Sequence, residues 1–282
     1  MIRVLDPGFF TSIQDAGRKG FRHLGVPVSG AMDQYAFAVA NTLLPHPNDQ
    51  CVLECTYHGP TLALEKSVRF VVTGAPISID LDGKSLGMNT VYLATEGSIL
   101  TLGKVQKGVR SYLRFSGELL GPKPMGSASM FYPITPHGRL RKNDTIECNV
   151  LPQNHSIQNA KLNVHQEYIT REIIEVNAGP DWNQLPPDSQ KQLLTETHRV
   201  EGQNRMGYRL STAVDFSVPQ LLSQVVIPGM IQLTPGKKLL VATADCQVTG
   251  GYLQVLQILP KALNVLVQKP EHCTLTFRNK QT

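Results

Sequence analysis

Several short signatures that mark common cofactor sites are missing from this chain. Neither GxGxxG nor HExxH occurs in its 282 residues, which removes the dinucleotide fingerprint and the zinc-protease helix. Gly83-Lys84-Ser85 has the tail of a phosphate-binding P-loop, but Ser78 stands where the leading glycine is required. Cysteine is scarce: Cys51, Cys55, Cys148, Cys246 and Cys273 are five in number and include no CxxC pair. That argues for reduced thiols and a cytoplasmic protein. Aromatic residues make up only 6% and charged residues 17%. The excess of 27 basic over 22 acidic side chains, a net +5, is scattered and not interleaved with aromatics, which argues against nucleic acid as a partner. No apolar run approaches membrane-spanning length, and Asp6 and Pro7 fall where a secretory leader needs apolar residues, so no membrane association is expected.

What is present is turn-forming and strand-forming. With 41% hydrophobic residues, 23 glycines and 19 prolines, the chain can bury a large core through many short elements, which fits an all-β architecture. Residues 68–81 read as two strand segments, Asp82-Gly83 as a tight hairpin turn, and Lys84 to Met88 as the returning strand. Similar runs occur at 98–102, 110–115, 145–150, 172–176, 225–233, 238–243, 252–258, 263–268 and 274–278. One helix is well marked, with Asp33 as its cap, Ala36, Val39, Ala40 and Leu43 on one face, and Pro45 as its stop. A shorter helix is expected over 187–196. The polar, aperiodic stretch within 151–171 reads as a linker, dividing the chain into 1–165 and 166–282, with a terminal strand able to cross over.

Three polar, glycine-containing stretches are candidates for chemistry: residues 11–33, Asn204 to Arg209, and Asp245 to Tyr252. Their shared character suggests one composite cleft. In the first, Gln14, Asp15, Arg18 and Asp33 stand between glycines. Asp15 and Arg18 either pair to fix the loop, or Arg18 presents its fork to a carboxylate or phosphate. Arg205 can hold an anionic group, and Tyr208 can hydrogen-bond or transfer a proton; the alternative is a strand on which Met206 and Tyr208 simply pack. Asp245, Gln247, Thr249 and Tyr252 surround Gly250 and Gly251, whose N–H groups can converge on a developing oxyanion, although a plain turn explains the two glycines equally well. His46, Cys51, Glu54, Cys55 and His58 cluster within thirteen residues, yet their spacing is not that of a zinc knuckle and no metal is expected. Cys51, Leu53 and Cys55 read instead as one buried strand face, with Glu54 on the other.

In that order and with those gaps, the three stretches resemble the B-type subdomain pair of biotin-dependent carboxyltransferases, the allophanate hydrolase subunit 2 family. The likeness extends through Ala40-Asn41, Leu53-Glu54, Gly59-Pro60, Val72 to Ala75, Gly108 to Leu113 and Ala178 to Pro180. Within that family the chain resembles the C-type component of bacterial 5-oxoprolinase complexes. Sporulation antikinase antagonists are its relatives, and the carboxyltransferase part of urea carboxylase is a larger cousin. The resemblance implies two cyclophilin-like β-barrel subdomains. It also implies an ATP-dependent opening of 5-oxo-L-proline to L-glutamate, shared with a B-type subunit (allophanate hydrolase subunit 1-like) and an A-type subunit, with ATP bound together with a partner. On that reading Arg18 or Arg205 holds the substrate carboxylate, the loop from Thr249 to Gly251 stabilises the amide oxygen, and Asp15 or Asp33 is the base. Gln14, Asp245, Gln247 and Tyr252 complete the substrate site, with Tyr208 beside them.

Two other implications remain open. One is carboxyl transfer from carboxybiotin, as in the urea and allophanate class, with biotin as the cofactor. The other is a non-catalytic regulator that binds a B-type kinase-inhibitor partner. Gln224 stands where the family usually has Glu, Val248 replaces the first Thr of a Thr-Thr-Gly-Gly-Tyr run, and Pro45 to Asp49 replaces a Gly-Asn turn. Replacing a carboxylate by an amide removes a base.

Overall fold

The computed structural model describes residues 1–150, 163–214, 216 and 222–280. The core of the inferred linker, 151–162, lies outside the described residues, and its last part forms a short 3-10 turn at Glu167–Thr170. Two compact units are present: Met1–Gly17 with Asp33–Glu167, and Arg18–Met32 with Tyr168–Thr282. The segment Arg18–Met32 thus leaves chain order to join the second unit.

In the first unit, a seven-stranded sheet runs in the spatial order Gly117–Leu120, Thr145–Val150, Ile2–Asp6, Thr61–Leu64, Ile99–Val105, Ile77–Leu81 and Lys84–Leu86. A five-stranded sheet runs Phe10–Gln14, Val52–Thr56, Arg110–Phe115, Val68–Gly74 and Tyr92–Ala94. Both sheets supply one core, with Val4, Ile79 and Leu100 from the first and Leu53, Phe70 and Phe115 from the second. Each such fully buried side chain is worth roughly 1.5–3 kcal/mol of transfer free energy.

The run 68–81 is split between the two sheets: Val68–Gly74 pairs with Arg110–Phe115, and Ile77–Leu81 pairs with Lys84–Leu86 and Ile99–Val105. Asp82 and Gly83, at φ 54° and 82°, take the left-handed conformation at both centres of a two-residue turn, and the Gly83 N–H donates to Asp80 Oδ1 at 2.9 Å. Gly83 to Gly87 also spells GxSxG, but Ser85 lies in the exposed hairpin strand Lys84–Leu86 and not at a strand-to-helix elbow.

Helix α1, Gln34–Leu43, begins where the Asp33 carboxylate accepts from Ala36 N–H at 3.0 Å, buries Ala36, Phe37, Val39 and Ala40, and ends before Pro45. On the strand Val52–Thr56, Leu53 and Cys55, with Cys51 just before it, belong to the core and Glu54 faces away, accepting from the Tyr112 hydroxyl at 2.8 Å. Burial pushes the Cys55 thiol up to about 12, as expected for an inert core cysteine.

The second unit is a closed barrel. Its strands follow the order Ile173–Ala178, Leu253–Ile258, Met230–Leu233, Lys238–Ala242, Gly207–Ala213, His198–Gln203 and Thr274–Asn279, and the parallel pairing of Ile173–Ala178 with Thr274–Asn279 closes the ring. Strand alternation sends Tyr208, Leu210, Ile231, Leu233, Leu239 and Val241 inward. Helix α2, Pro187–Thr195, forms where the second helix is expected, with Leu193 in the core.

The strand read at 263–268 is instead the end of helix α3, Pro260–Leu266. Pro260 sits in the first turn, where its missing N–H costs nothing. Ala262, Val265 and Leu266 recur at helical spacing and enter the barrel core. Among the described residues no helix is long and apolar enough to cross a membrane.

Candidate functional site

Gln14, Asp15 and Asp33 belong to the first unit. Gln14 is fully buried and donates to Ser12 Oγ at 2.9 Å and Met130 O at 3.3 Å. The Asp15 carboxylate accepts four hydrogen bonds, from Gly17 N–H at 2.8 Å, Ser127 Oγ at 2.7 Å, Ala128 N–H at 2.8 Å and Ser129 Oγ at 2.6 Å. Burial pushes this carboxyl up, but the donors, led by Ser129 and Ser127, outweigh it and hold the group below its ordinary value. An anion held in this way is a weak base. Asp33 caps α1, and its own N–H donates to the Tyr112 hydroxyl at 2.7 Å.

In the second unit, parts of all three polar stretches meet. The Arg18–Met32 segment is tied down by Ser29 N–H to Ala244 O at 3.0 Å, and Arg22 donates to the carbonyls of Val226 and Val248. Arg205 grips Asp245 with both ends of its fork, Nε to Oδ2 at 2.8 Å and Nη2 to Oδ1 at 3.1 Å, and Nη2 also reaches Gly30 O at 2.8 Å. Asp245 N–H returns a bond to Arg205 O at 2.8 Å, and the Thr243 hydroxyl adds another at 2.7 Å. Arg205 and Asp245 therefore fix three loops to one another. Arg18 is buried in the same segment, its N–H donating to Val28 O at 2.8 Å.

Tyr208, the proton-transfer candidate, has its ring in the barrel core and its hydroxyl on Val267 O at 3.1 Å. Gly207 answers to backbone packing, since a Cβ there would stand 2.7 Å from Val241 O.

Beside this clamp, on the outer face of the barrel, lies a cleft of about 470 Å³. Its lining includes Asn204, Met206, Arg209, Gln232, Cys246 and Gln247. Burial pushes the Cys246 thiol up, against the opposing pull of Arg22. A two-residue ribbon forms here, with Gln224 paired to Gly250 and Val225 to Thr249. Gln224 Nε2 donates to Asp181 Oδ2 at 3.1 Å, and Asp181 also accepts from Gln254 N–H at 2.9 Å and Gln184 Nε2 at 2.8 Å. Thr249 is exposed, and Gly251 and Tyr252 are half-buried as the chain enters Leu253–Ile258.

Arg209 and Gln232 were not singled out from sequence. Gln232 interrupts the apolar strand Met230–Leu233, and period-2 alternation is the signal that would have placed its amide on the outer face.

Barrel, clamp and cleft place the protein among β-rich proteins of carboxyltransferase fold. The carboxyltransferase domain family, subdomains A and B, matches residues 24–279, and the chain belongs to it. The chain is 30% identical over 277 residues to the C-type component of Escherichia coli 5-oxoprolinase, covering 96% of this chain and 88% of that protein. To urea amidolyase of Saccharomyces cerevisiae it is 31% identical over 223 residues, which are 74% of this chain and 12% of the relative. The solved urea amidolyase of K. lactis superposes with a TM-score of 0.84 at 26% identity over 98% of this chain, and TTHA0988 with 0.86 at 25% over the same share. The chain spans 18% and 55% of those two solved chains.

Proposed function

We propose that the protein is one component of an ATP-dependent 5-oxoprolinase complex that opens 5-oxo-L-proline to L-glutamate together with A-type and B-type subunits. The observation that carries this reading is the strapped cleft on the barrel, where an open guanidinium and carboxamides face a space fit for a small polar ligand. The 30% identity to a 5-oxoprolinase component over 96% of the chain supports a cyclic amide as that ligand. In the reaction, one water gives its hydroxyl to the lactam carbonyl carbon and its proton to the ring nitrogen as the C–N bond breaks, and a second water is consumed as ATP becomes ADP and phosphate. The chemistry needs donors for the amide oxygen, a cation for the carboxylate and a base. This chain supplies donors at Gln232 and Gln247 and a cation at Arg209. With no P-loop in its sequence, the phosphates of ATP are assigned to partner chains. Asp15 and Asp33, each engaged in several hydrogen bonds, leave the base to a partner as well.

The likeness to urea amidolyases favours a second reading, carboxyl transfer from carboxybiotin in the same cleft. One assay separates them: glutamate release from 5-oxo-L-proline, measured for the purified chain alone and with the A-type and B-type subunits of its own genome. Release that needs ATP and all three chains is expected. A complete mixture that is inert, while this chain still binds its B-type partner tightly, overturns the reading in favour of a regulator.

A further inference from the structure

On the outer face of the barrel, Arg209 pairs with Leu240, Leu240 with Gln232 and Gln232 with Gln254, so one transverse row of outward side chains crosses four strands. Gln254 is spoken for, its Nε2 donating to Val225 O at 2.8 Å. Gln232 is not. It is 3% exposed and lines the cleft, and among the described residues its Nε2 has no acceptor. A buried donor left without a partner is a liability that folds rarely tolerate without a reason.

Gly250 supplies the reason. A Cβ on this residue would stand 3.1 Å from Gln247 Nε2 and 3.2 Å from Gln232 Nε2. The open face of the glycine is thus flanked by two carboxamide nitrogens and by the Val226 Cγ2 methyl, also at 3.2 Å, and any side chain would fill the space among them.

We infer that Gln232 and Gln247 form a carbonyl-oxygen subsite, donating from their two amide nitrogens to the oxygen of a small amide ligand beside Gly250. The subsite rests on the proposed function for the identity of that amide, a lactam. Two neutral donors suit a neutral carbonyl and the partial negative charge it gains under attack. The ribbon beside them is tied by the pairs Gln224 with Gly250 and Val225 with Thr249, by Val226 N–H to Val248 O at 3.0 Å and by Gln254 Nε2 to Val225 O, so the oxygen approaches from the cleft that Gln232 and Gln247 line. The donors are side chains, whereas the sequence pointed to the backbone N–H groups of the Gly250-Gly251 turn.

The test is ligand-observed NMR titration of the full chain with 5-oxo-L-proline and with proline, which keeps the ring and carboxylate but lacks the carbonyl. Saturable binding of 5-oxo-L-proline, with proline at least tenfold weaker, is expected. Gln232→Leu should lose at least tenfold in 5-oxo-L-proline affinity while its melting temperature stays level or rises, because the lone buried donor is gone. A merely structural glutamine gives the opposite, a lower melting temperature. Should Gln232→Leu fail to fold, the comparison of the two ligands on the unaltered chain still decides. Equal binding of proline, wild-type affinity in Gln232→Leu, or no saturable 5-oxo-L-proline binding overturns the subsite. If the reconstituted complex turns over 5-oxo-L-proline and Gln232→Leu leaves KM unchanged, the subsite falls while the proposed function stands. If the complex is inert but binding depends on Gln232, the function falls and the subsite stands.

Discussion

Arg205 and Asp245 form a two-pronged ion pair, at 2.8 and 3.1 Å, whose guanidinium also holds Gly30 O. Both side chains are under a tenth exposed. Removing one member leaves a buried charge without its counter-ion, a change that typically costs about 3–5 kcal/mol. Arg205→Ala should therefore lower stability in urea by that amount. Arg205→Ala combined with Asp245→Ala should lose less than the two single changes added together. Strict additivity of the two would remove the clamp.

Asp15 has two competing assignments, a general base and a loop anchor. With four donors around it, Asp15→Asn turns an amide N–H₂ toward groups that already donate, and the expected loss is about 1–3 kcal/mol of stability. The pH dependence has a definite sign. The folded-state value lies below the ordinary 3.8, so the contribution is complete above pH 3.8 and is lost as pH falls through the depressed value. Acid unfolding of Asp15→Asn should lack that step. Full stability with abolished turnover would restore the base.

Some of this architecture was legible in residue order, and the reasons are local. Period-2 alternation in 68–86 with Asp82-Gly83 between strands fixes a hairpin, and Asp33 with Pro45 brackets α1, because turn and cap chemistry act within a few residues. Residues 263–268 misread as a strand because a short apolar run satisfies both periods until barrel packing chooses one. The transfer of Arg18–Met32 to the second unit left no local trace. It depends on bonds such as Ser29 N–H to Ala244 O, between residues far apart in the chain. Gln232 was hidden for a related reason: one amide in an apolar strand becomes notable only when its neighbours show that nothing accepts from it.

Gln224 has surroundings that suit an amide. Its Nε2 donates to Asp181 Oδ2 at 3.1 Å. Gln224→Glu would bring two carboxylates to that distance, where both cannot stay ionised, and one pKa must rise. The variant should be less stable than the parent at pH 8 and recover toward pH 5 as one carboxyl takes a proton. Thermal melts across that range check it, and a deficit independent of pH would point to packing instead.

His198 offers the clearest pH-linked behaviour in the barrel. Its ring is buried, lies 4.4 Å from the Phe277 ring, and is bonded at both nitrogens. Leu193 O can only accept, so Nε2 carries the hydrogen and Nδ1 accepts from the Thr212 hydroxyl, which defines the neutral tautomer. Burial is the main cause that holds this imidazole below its ordinary 6.5, against the smaller upward pulls of Leu193 O and Glu196. The unfolded chain therefore binds the proton first as pH falls. Stability is complete above pH 6.5 and declines below it, down to the depressed folded-state value. Replacing the imidazole by an amide, His198→Gln, removes the titrating group while keeping a hydrogen-bonding side chain. Urea midpoints between pH 7.5 and 5 should fall less steeply for the variant than for the parent. Parallel slopes would show that another group governs the acid limb.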